Sequence, residues 1–198
     1  WPHVDTMALS AHKFGGPTGV AILAVRDGVE LEPLIHGGGQ ERDRRSGTHN
    51  LAGIVATAVA LQITDAHRET EAARIDALRR QMLDALIDLD EVHPTVPLEA
   101  SVPGVVHVCI GGVESEALLY LLDEAGVCAS AASACASGAL ESSHVLAAMG
   151  VGRDLAAGAL RVSLGHTTTS ADIDVAATAI SEGVSRLRSM SARAKVAP

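Results

Sequence analysis

The stretch LSAHKFGGPTG, residues 9–19, places Lys13 between His12 and a glycine-proline turn. Residues 20–25 follow as a β-branched and aliphatic run, which predicts a buried strand. A charge where two buried strands meet is costly unless the chemistry requires it. A desolvated lysine loses its proton readily and then serves as a Schiff-base former or a general base. The alternative is a strand-end lysine that extends into solvent, and spacing alone leaves both interpretations open.

The composition favours a globular protein that acts on small molecules or other proteins. The chain has 198 residues, 47% of them apolar, and a formal net charge of -9 with no block of basic residues. Nucleic acid and anionic membranes are therefore not expected as partners. The longest apolar run, residues 51–63, is shorter than a bilayer span, and no secretion leader is recognisable, so a soluble protein is expected. Three cysteines, an odd number, favour a reducing compartment, and we expect a cytoplasmic location.

Strands separated by helices indicate an α/β or α+β arrangement. Two stripes of apolar residues at helical spacing, in residues 51–61 and 75–89, predict long helices that lead into a second lobe near residue 66. Beyond them the pattern predicts strands at 106–110 and 160–164, helices at 116–125 and 143–149, and a last helix that begins at a capping box of Thr169 and Asp172. In the second of these strands, alternation places Arg161 and Ser163 on one face.

The three cysteines differ in their surroundings. Cys135 lies among Ala, Ser and Gly residues, where nothing bulky would shield a thiol, although an arbitrary cysteine is more often a small buried residue. Cys109, inside the strand pattern, and Cys128, after a helix stop, are expected to be structural. No His or Cys pair has the spacing of a zinc site, so no metal is expected.

The segment HGGGQERDRRSGTHN, residues 36–50, has no hydrophobic period and reads as a long polar loop. Its first four residues look like the oxyanion loop of esterases, but no serine has glycine two positions before and after it, so a serine hydrolase is discarded. No nucleotide-binding glycine motif is present either. The arginines, Ser46 and Thr48 suit contact with a phosphate or carboxylate on a neighbouring molecule, and a solvated charged loop is the alternative.

Three stretches taken together carry a family resemblance. SAHKFGGPTG, then HGGGQERDRRSGT, then ASACASGALESSHVLAAMGV followed by LRVSLGHTTT, in this order and spacing, closely resemble the pyridoxal-phosphate-dependent cysteine desulfurases of the NifS/IscS type. The resemblance covers essentially the whole chain. It implies an α/β fold-type I pyridoxal-phosphate transferase fold, with residues 1–65 ending the large cofactor-binding domain and residues 66–198 forming the small C-terminal α+β domain with the catalytic-cysteine loop.

The resemblance also implies a role for each matching residue. Lys13 would bind the cofactor covalently, for which it should be buried and neutral. Ser10 and His12 match residues that contact the cofactor phosphate, and Thr48 matches the one that reaches the phosphate of the partner subunit, which implies a homodimer. Cys135 matches the nucleophile on the mobile loop. Arg161 matches the arginine that pairs with the substrate carboxylate.

The activity implied is removal of sulfur from L-cysteine, which gives L-alanine and a persulfide on Cys135 for a sulfur acceptor or an iron–sulfur scaffold protein. In this family the lysine lies near the middle of the chain, so roughly the first half of the usual protein is expected to be absent here. Apolar surface is then expected to be exposed where that half would pack. Two alternatives stay open: a selenocysteine lyase-like enzyme of the same fold, and an inactive fragment that acts as a dimerisation or docking module.

Overall fold

A computed structural model describes residues 3–131 and 143–196 of the chain, with the side chains of residues 193–196 left out. The chain divides into two compact units, Trp1–Glu69 and Thr70–Pro198. The assignment of residues 1–65 to a large domain and 66–198 to a small one stays a prediction. Within the described residues, no helix is both long enough and apolar enough to cross a bilayer.

The first unit begins with a two-stranded antiparallel ladder. Strand β1, Thr6–Ser10, pairs with β2, Ala21–Val25, so that Ser10 lies opposite Ala21. A 3-10 turn, Ala11–Phe14, leaves β1 and ends at Gly15, whose φ of 84° is in the left-handed region that glycine adopts without strain. The sequence predicted a buried strand at 20–25, and this is wrong: β2 is exposed or half-buried throughout. Within the described residues this sheet has only two strands, and a two-stranded ladder offers little surface against which a strand can be buried.

A polar segment connects β2 to the longest helix of the chain. It contains a short helical turn α1, Gln40–Asp43, in which three consecutive residues have positive φ, so the segment is a loop as the sequence predicted. Helix α2, Leu51–Ile87, then runs without interruption for 37 residues. The two apolar stripes therefore belong to one helix and not to two. At its start the Asn50 side-chain oxygen accepts a hydrogen bond from the Gly53 amide at 3.1 Å, which satisfies a donor of the first turn.

The second unit is built on a three-stranded antiparallel sheet of order β3-β4-β5. Its strands are β3, Val92–Pro94, β4, Val105–Ile110, and β5, Ala159–Ser163. The central strand β4 pairs with β3 on one side and with β5 on the other. The predicted strands at 106–110 and 160–164 are thus confirmed within one residue.

Helices complete the second unit. They are α3, Ser115–Glu124, α4, His144–Ala148, α5, Arg153–Ala156, and α6, Ser170–Val196. The predicted helices at 116–125 and 143–149 are confirmed, and each is followed by a glycine with positive φ, Gly126 and Gly150. At the start of α6 the Asp172 carboxylate accepts from the amide and the hydroxyl of Thr169, both at 2.8 Å, which confirms the capping box. These bonds lower the pKa of Asp172.

The two faces of this sheet pack differently. One face and the facing sides of the helices form the main core, whose fully buried members include Met82, Leu86, Ile110, Leu118, Leu122, Leu160, Ile173 and Ile180. On the other face a small cluster of Cys109, Leu146, Ala156 and Ala159 joins the sheet to α4 and α5. Next to this cluster the second face carries His107 and Arg161, and these belong to the candidate site.

Candidate functional site

Lys13 lies in the 3-10 turn that leaves strand β1. Its side chain is exposed and, among the described residues, makes no hydrogen bond or ion pair. The expectation that Lys13 is buried is therefore wrong for this chain, because the two-stranded ladder from which it projects has exposed faces. Only one other lysine, Lys195, occurs in the sequence.

The turn that carries Lys13 is held by hydrogen bonds on both sides. The Ala11 amide donates to the carbonyl of Val20 at 3.1 Å, and the Thr64 hydroxyl donates to the carbonyl of Phe14 at 3.1 Å. Gly16 folds back onto the buried Ala11, and a Cβ at Gly16 would lie only 2.9 Å from the Ala11 Cβ. The lysine backbone is thus fixed locally while its side chain stays available for a ligand.

Ser10 and His12 both precede Lys13, Ser10 at the end of β1 and His12 within the turn. Ser10 is half-buried, His12 is exposed, and neither side chain has a hydrogen-bond partner among the described residues. The structure therefore places a hydroxyl, an imidazole and an amine within four consecutive residues. Their predicted roles in cofactor binding stay predictions.

Thr48 belongs to the same unit, in the loop before helix α2. The loop is closed by a hydrogen bond from the Ser46 hydroxyl to the carbonyl of His36 at 3.0 Å. The Arg45 guanidinium donates to the carbonyls of Ser46 and Gly47, at 3.0 and 2.8 Å, and so is used within the loop. Thr48 itself is exposed and has no side-chain partner in the part of the chain that the structure describes.

Arg161 belongs to the second unit, on β5. Its backbone forms two hydrogen bonds with Ser130: the Arg161 amide donates to the Ser130 carbonyl at 2.8 Å, and the Ser130 amide to the Arg161 carbonyl at 3.1 Å. The side chain is half-buried, yet no carboxylate or carbonyl of residues 3–131 or 143–196 pairs with its guanidinium. An arginine is seldom removed from water without a partner, so this one is well suited to an external anion.

Sequence reasoning missed the residues around Arg161. His107 lies directly opposite it on β4, and Thr95, after β3, bonds to His107 through its hydroxyl and its amide. Burial lowers the pKa of His107, and the positive charge of Arg161 lowers it further. The alternation of residues 106–110 could have placed His107 on the face opposite the core. The register between β4 and β5, which pairs it with Arg161, is not encoded in any local pattern.

Cys109 and Cys128 differ in their exposure to solvent. Cys109 is buried, and burial raises the pKa of its thiol although a hydrogen bond with Thr95 opposes the shift, so the predicted structural role fits. Cys128 is exposed, which argues against the structural role expected for it. Cys135 lies outside the described residues, in the segment between Ala131 and Ser143. That segment begins directly after the backbone pair that joins Ser130 to Arg161.

Comparison with known proteins gives the family. Residues 2–175 match the model of the class-V aminotransferases. The chain belongs to the class-V aminotransferase family, whose members depend on pyridoxal phosphate.

Several relatives of the chain are named cysteine desulfurases. The chain is 40% identical over 189 residues to the cysteine desulfurase IscS of Methanosarcina thermophila, covering 96% of this chain and 47% of that protein. It is 42% identical over 189 residues to the IscS-like cysteine desulfurase of Mycobacterium tuberculosis, covering 93% and 48%. A solved NifS-like protein superposes with a TM-score of 0.82 at 39% identity, covering 93% of this chain and 47% of that one. The chain thus spans about half the length of the curated relatives it matches.

The residues around Lys13 fit the cofactor of this family. Pyridoxal phosphate carries an aldehyde, which an amine can bind covalently, and a phosphate, which needs hydrogen-bond donors. The structure offers the amine of Lys13 and the donors of Ser10 and His12, none of them engaged by other described residues. A Cβ at Gly15 or Gly19 would meet no atom within 4 Å, so the backbone on this side of the turn is open to a ligand.

Proposed function

We propose that this chain forms part of a cysteine desulfurase that converts L-cysteine into L-alanine and leaves the sulfur as a persulfide on Cys135. The observation that carries the proposal concerns Arg161, which is half-buried and whose guanidinium has no partner among the described residues. The backbone of Arg161 pairs with Ser130, which shortly precedes the segment that contains Cys135. The relatives that match nearly the whole of this chain are named cysteine desulfurases, which supports the proposal.

The proposed reaction assigns roles in cofactor and substrate binding to Lys13, Ser10, His12 and Arg161. Pyridoxal phosphate, when bound, supplies an electron sink for the substrate Cα. Lys13 is proposed to hold it covalently and to move the Cα proton with its amine, while Ser10 and His12 donate to the phosphate. Arg161 is proposed to bind the substrate carboxylate through two parallel N–H donors, a geometry that lysine does not offer.

Cys135 is proposed as the nucleophile. Its thiolate attacks the sulfur of the substrate, a sulfur–sulfur bond forms, and the carbon–sulfur bond breaks. The electron pair of the broken bond stays with carbon, which takes up a proton and leaves as alanine. The persulfide then passes to a thiol of a sulfur acceptor or of an iron–sulfur scaffold protein. We also propose a cytoplasmic location, supported by the odd number of cysteines in the chain.

Persulfide mapping tests the proposal. The complete natural protein, loaded with pyridoxal phosphate, is treated with L-cysteine, trapped with an alkylating reagent and digested for mass spectrometry. We expect one extra sulfur atom on the peptide of Cys135, and none in Cys135→Ser. Cys128→Ser is the matched control, since Cys128 is also a thiol of this unit and is exposed. Sulfide release that survives in Cys135→Ser, or sulfur found on Cys128 instead, would contradict the proposed nucleophile.

A homodimer is part of the same proposal, since Thr48 would serve the phosphate of the partner subunit. Thr48 is exposed on a loop in which Arg45 and Ser46 are bonded internally, and the Thr48 hydroxyl has no partner among the described residues. Subunit mixing tests this role. Lys13→Ala and Thr48→Ala each impair cofactor binding alone, and mixed dimers should regain one intact site in two. If the mixtures bind no more cofactor than the average of the two parent variants, Thr48 either serves the same site as Lys13 of its own subunit or does not bind the phosphate.

A further inference from the structure

A row of four polar residues crosses the sheet of the second unit on the face opposite the main core. Thr95, His107, Arg161 and Ser130 are successive cross-strand neighbours, and directly opposed residues of an antiparallel ladder point to the same face. All four are half-buried. The next row on this face, Cys109 and Ala159, is covered by α4 and α5, so the polar row lies at the edge of the covered area.

The ladder geometry fixes how close His107 and Arg161 lie. Both backbone groups of Arg161 bond to Ser130, and the His107 carbonyl accepts from the Thr95 amide at 3.1 Å. Neither residue therefore bonds to the other through its backbone, and they form a non-hydrogen-bonded pair. In such pairs the Cα atoms are about 4.5 Å apart and the side chains are at their closest. The imidazole is thus the nearest cross-strand neighbour of the guanidinium.

The hydrogen-bonding of His107 defines its orientation. Its Nδ1 is engaged by the Thr95 hydroxyl, so the ring is held from the side away from Arg161. A planar guanidinium packs well on a neutral ring, whereas a protonated ring would repel it. On the strands, the titratable side chains that share this face with His107 are Arg161, Cys109 two residues along β4, and the exposed His93 opposite Cys109. The helices that cover the next row, α4 and α5, carry His144, Arg153 and Asp154. No described acidic group pairs with Arg161, so a neutral imidazole leaves the row with a single positive charge.

We propose that His107, held by Thr95, is a positioning residue for Arg161: the neutral imidazole packs beside the guanidinium and keeps its donors directed at the substrate carboxylate. This inference rests on the proposed role of Arg161 in binding that carboxylate. Ser130 is hydrogen-bonded to the backbone of Arg161, whereas His107 packs beside its side chain. Different neighbours therefore hold the main chain and the side chain of Arg161.

The adjacency is tested first by NMR on the 198-residue chain. The imidazole signal of His107, identified by its loss in His107→Asn, is followed as a function of pH. Arg161→Gln removes the neighbouring charge and should raise the pKa of His107, whereas Arg161→Lys should leave it lowered. Arg153→Gln, an exposed arginine of the same unit, is the matched control and should change nothing. An unchanged pKa in Arg161→Gln would overturn the inference, whatever the reaction of the protein.

Positioning is then tested by kinetics on the complete natural protein loaded with pyridoxal phosphate. We expect His107→Ala to raise KM for L-cysteine by about tenfold and to change kcat by less than about twofold, since binding of the carboxylate is what suffers. His107→Asn, which is neutral and keeps a group near the position of Nδ1, should restore KM to within about threefold of the wild type. The exposed His93 provides the matched control, His93→Ala, with unchanged constants.

The outcomes separate this inference from the proposed function. If Arg161→Gln raises KM and His107→Ala does not, Arg161 keeps its role and the positioning inference fails alone. If Arg161→Gln leaves KM unchanged, the proposed carboxylate site fails and the inference fails with it. A His107→Ala variant that lowers kcat and leaves KM unchanged also overturns the positioning role. So does a His107→Asn variant whose KM is as high as that of His107→Ala.

Discussion

The two units of this chain differ in how they hold their functional residues. In the described part of the first unit, only Ala11, Gly53 and Thr57 are buried, and strand residue Leu23 is 54% exposed. In the second unit the central strand β4 is packed on both faces by separate apolar clusters. Lys13 is therefore fixed by a few local hydrogen bonds, whereas Arg161 lies on a sheet that a core supports. The arginine proposed to bind the substrate thus lies on a packed scaffold, whereas the lysine proposed to bind the cofactor follows an exposed ladder.

Exposed apolar side chains of the first unit agree with the expectation from sequence. They include Met7 and Leu23 on the strands, and Leu51, Val55, Val59 and Ile63 on helix α2. A two-stranded ladder is marginally stable by itself, and apolar surface of this extent usually has a partner. Because these side chains are exposed in this chain, truncating them should change its free energy of unfolding little. Truncating core side chains of the second unit should change it much more.

The largest effect is expected from a matched pair of isoleucines. Ile180 on α6 is fully buried in the main core, and Ile63 on α2 is 57% exposed. Ile180→Ala should lower the free energy of unfolding by about 4 kcal/mol through lost burial and a cavity, and Ile63→Ala by less than about 0.5 kcal/mol. Urea unfolding followed by circular dichroism measures both. Equal losses would mean that the two units are packed alike.

A glycine in the second unit should give the next largest effect. A Cβ at Gly158 would overlap the carbonyl oxygen of Ile110, which belongs to the backbone and has no alternative rotamer. Gly158→Ala should therefore cost about 1–3 kcal/mol by overpacking. Gly165→Ala is the control, because no atom lies within 4 Å of its Cβ position and its φ is not in the left-handed region. A Gly158→Ala variant as stable as Gly165→Ala would show that the end of the β4–β5 ladder is loosely packed.

The cap of helix α6 should contribute less. Thr169→Ala removes the hydroxyl that accepts from the Asp172 amide and should cost about 1 kcal/mol. Thr178→Ala, on the exposed side of the same helix, should be close to neutral. The pKa of Asp172 is lowered in the folded state, so its contribution is present above its unfolded value of about 3.9 and is lost as the pH falls. A Thr169→Ala variant as stable as Thr178→Ala at neutral pH would argue against the capping box.

The smallest expected effect is the pH dependence caused by His107. Its pKa is lowered in the folded state, so the unfolded chain binds the proton more tightly. Stability should be complete above the unfolded value of about 6.5 and should fall as the pH decreases through that value towards the folded pKa. Unfolding midpoints of wild type and His107→Asn, compared between neutral and mildly acidic pH, check this. A decline that is equally steep in His107→Asn would assign it to other groups.

Sequence alone predicted the second unit better than the first. The strands around Val106 and Leu160, the helix from Ser115 and the Thr169 cap all follow from alternation, helical spacing and capping chemistry, which are local. Residues 20–25 were predicted as buried because an aliphatic run is typical of a core strand, but burial depends on what else packs there. The site beside Arg161 depends on a pairing across 54 residues of sequence between His107 and Arg161, which no local pattern contains.

Covalent mapping tests whether Lys13 carries the cofactor, as proposed above. The chain, in the complete natural protein, is incubated with pyridoxal phosphate, reduced with borohydride and digested for mass spectrometry. Because Lys13 and Lys195 are the only lysines among these 198 residues, the label within them has two possible positions. We expect the reduced cofactor to be attached to Lys13, to be lost in Lys13→Arg and to be retained in Lys195→Arg. Label on Lys195 with none on Lys13, or labelling that survives in Lys13→Arg at the same level, would contradict it.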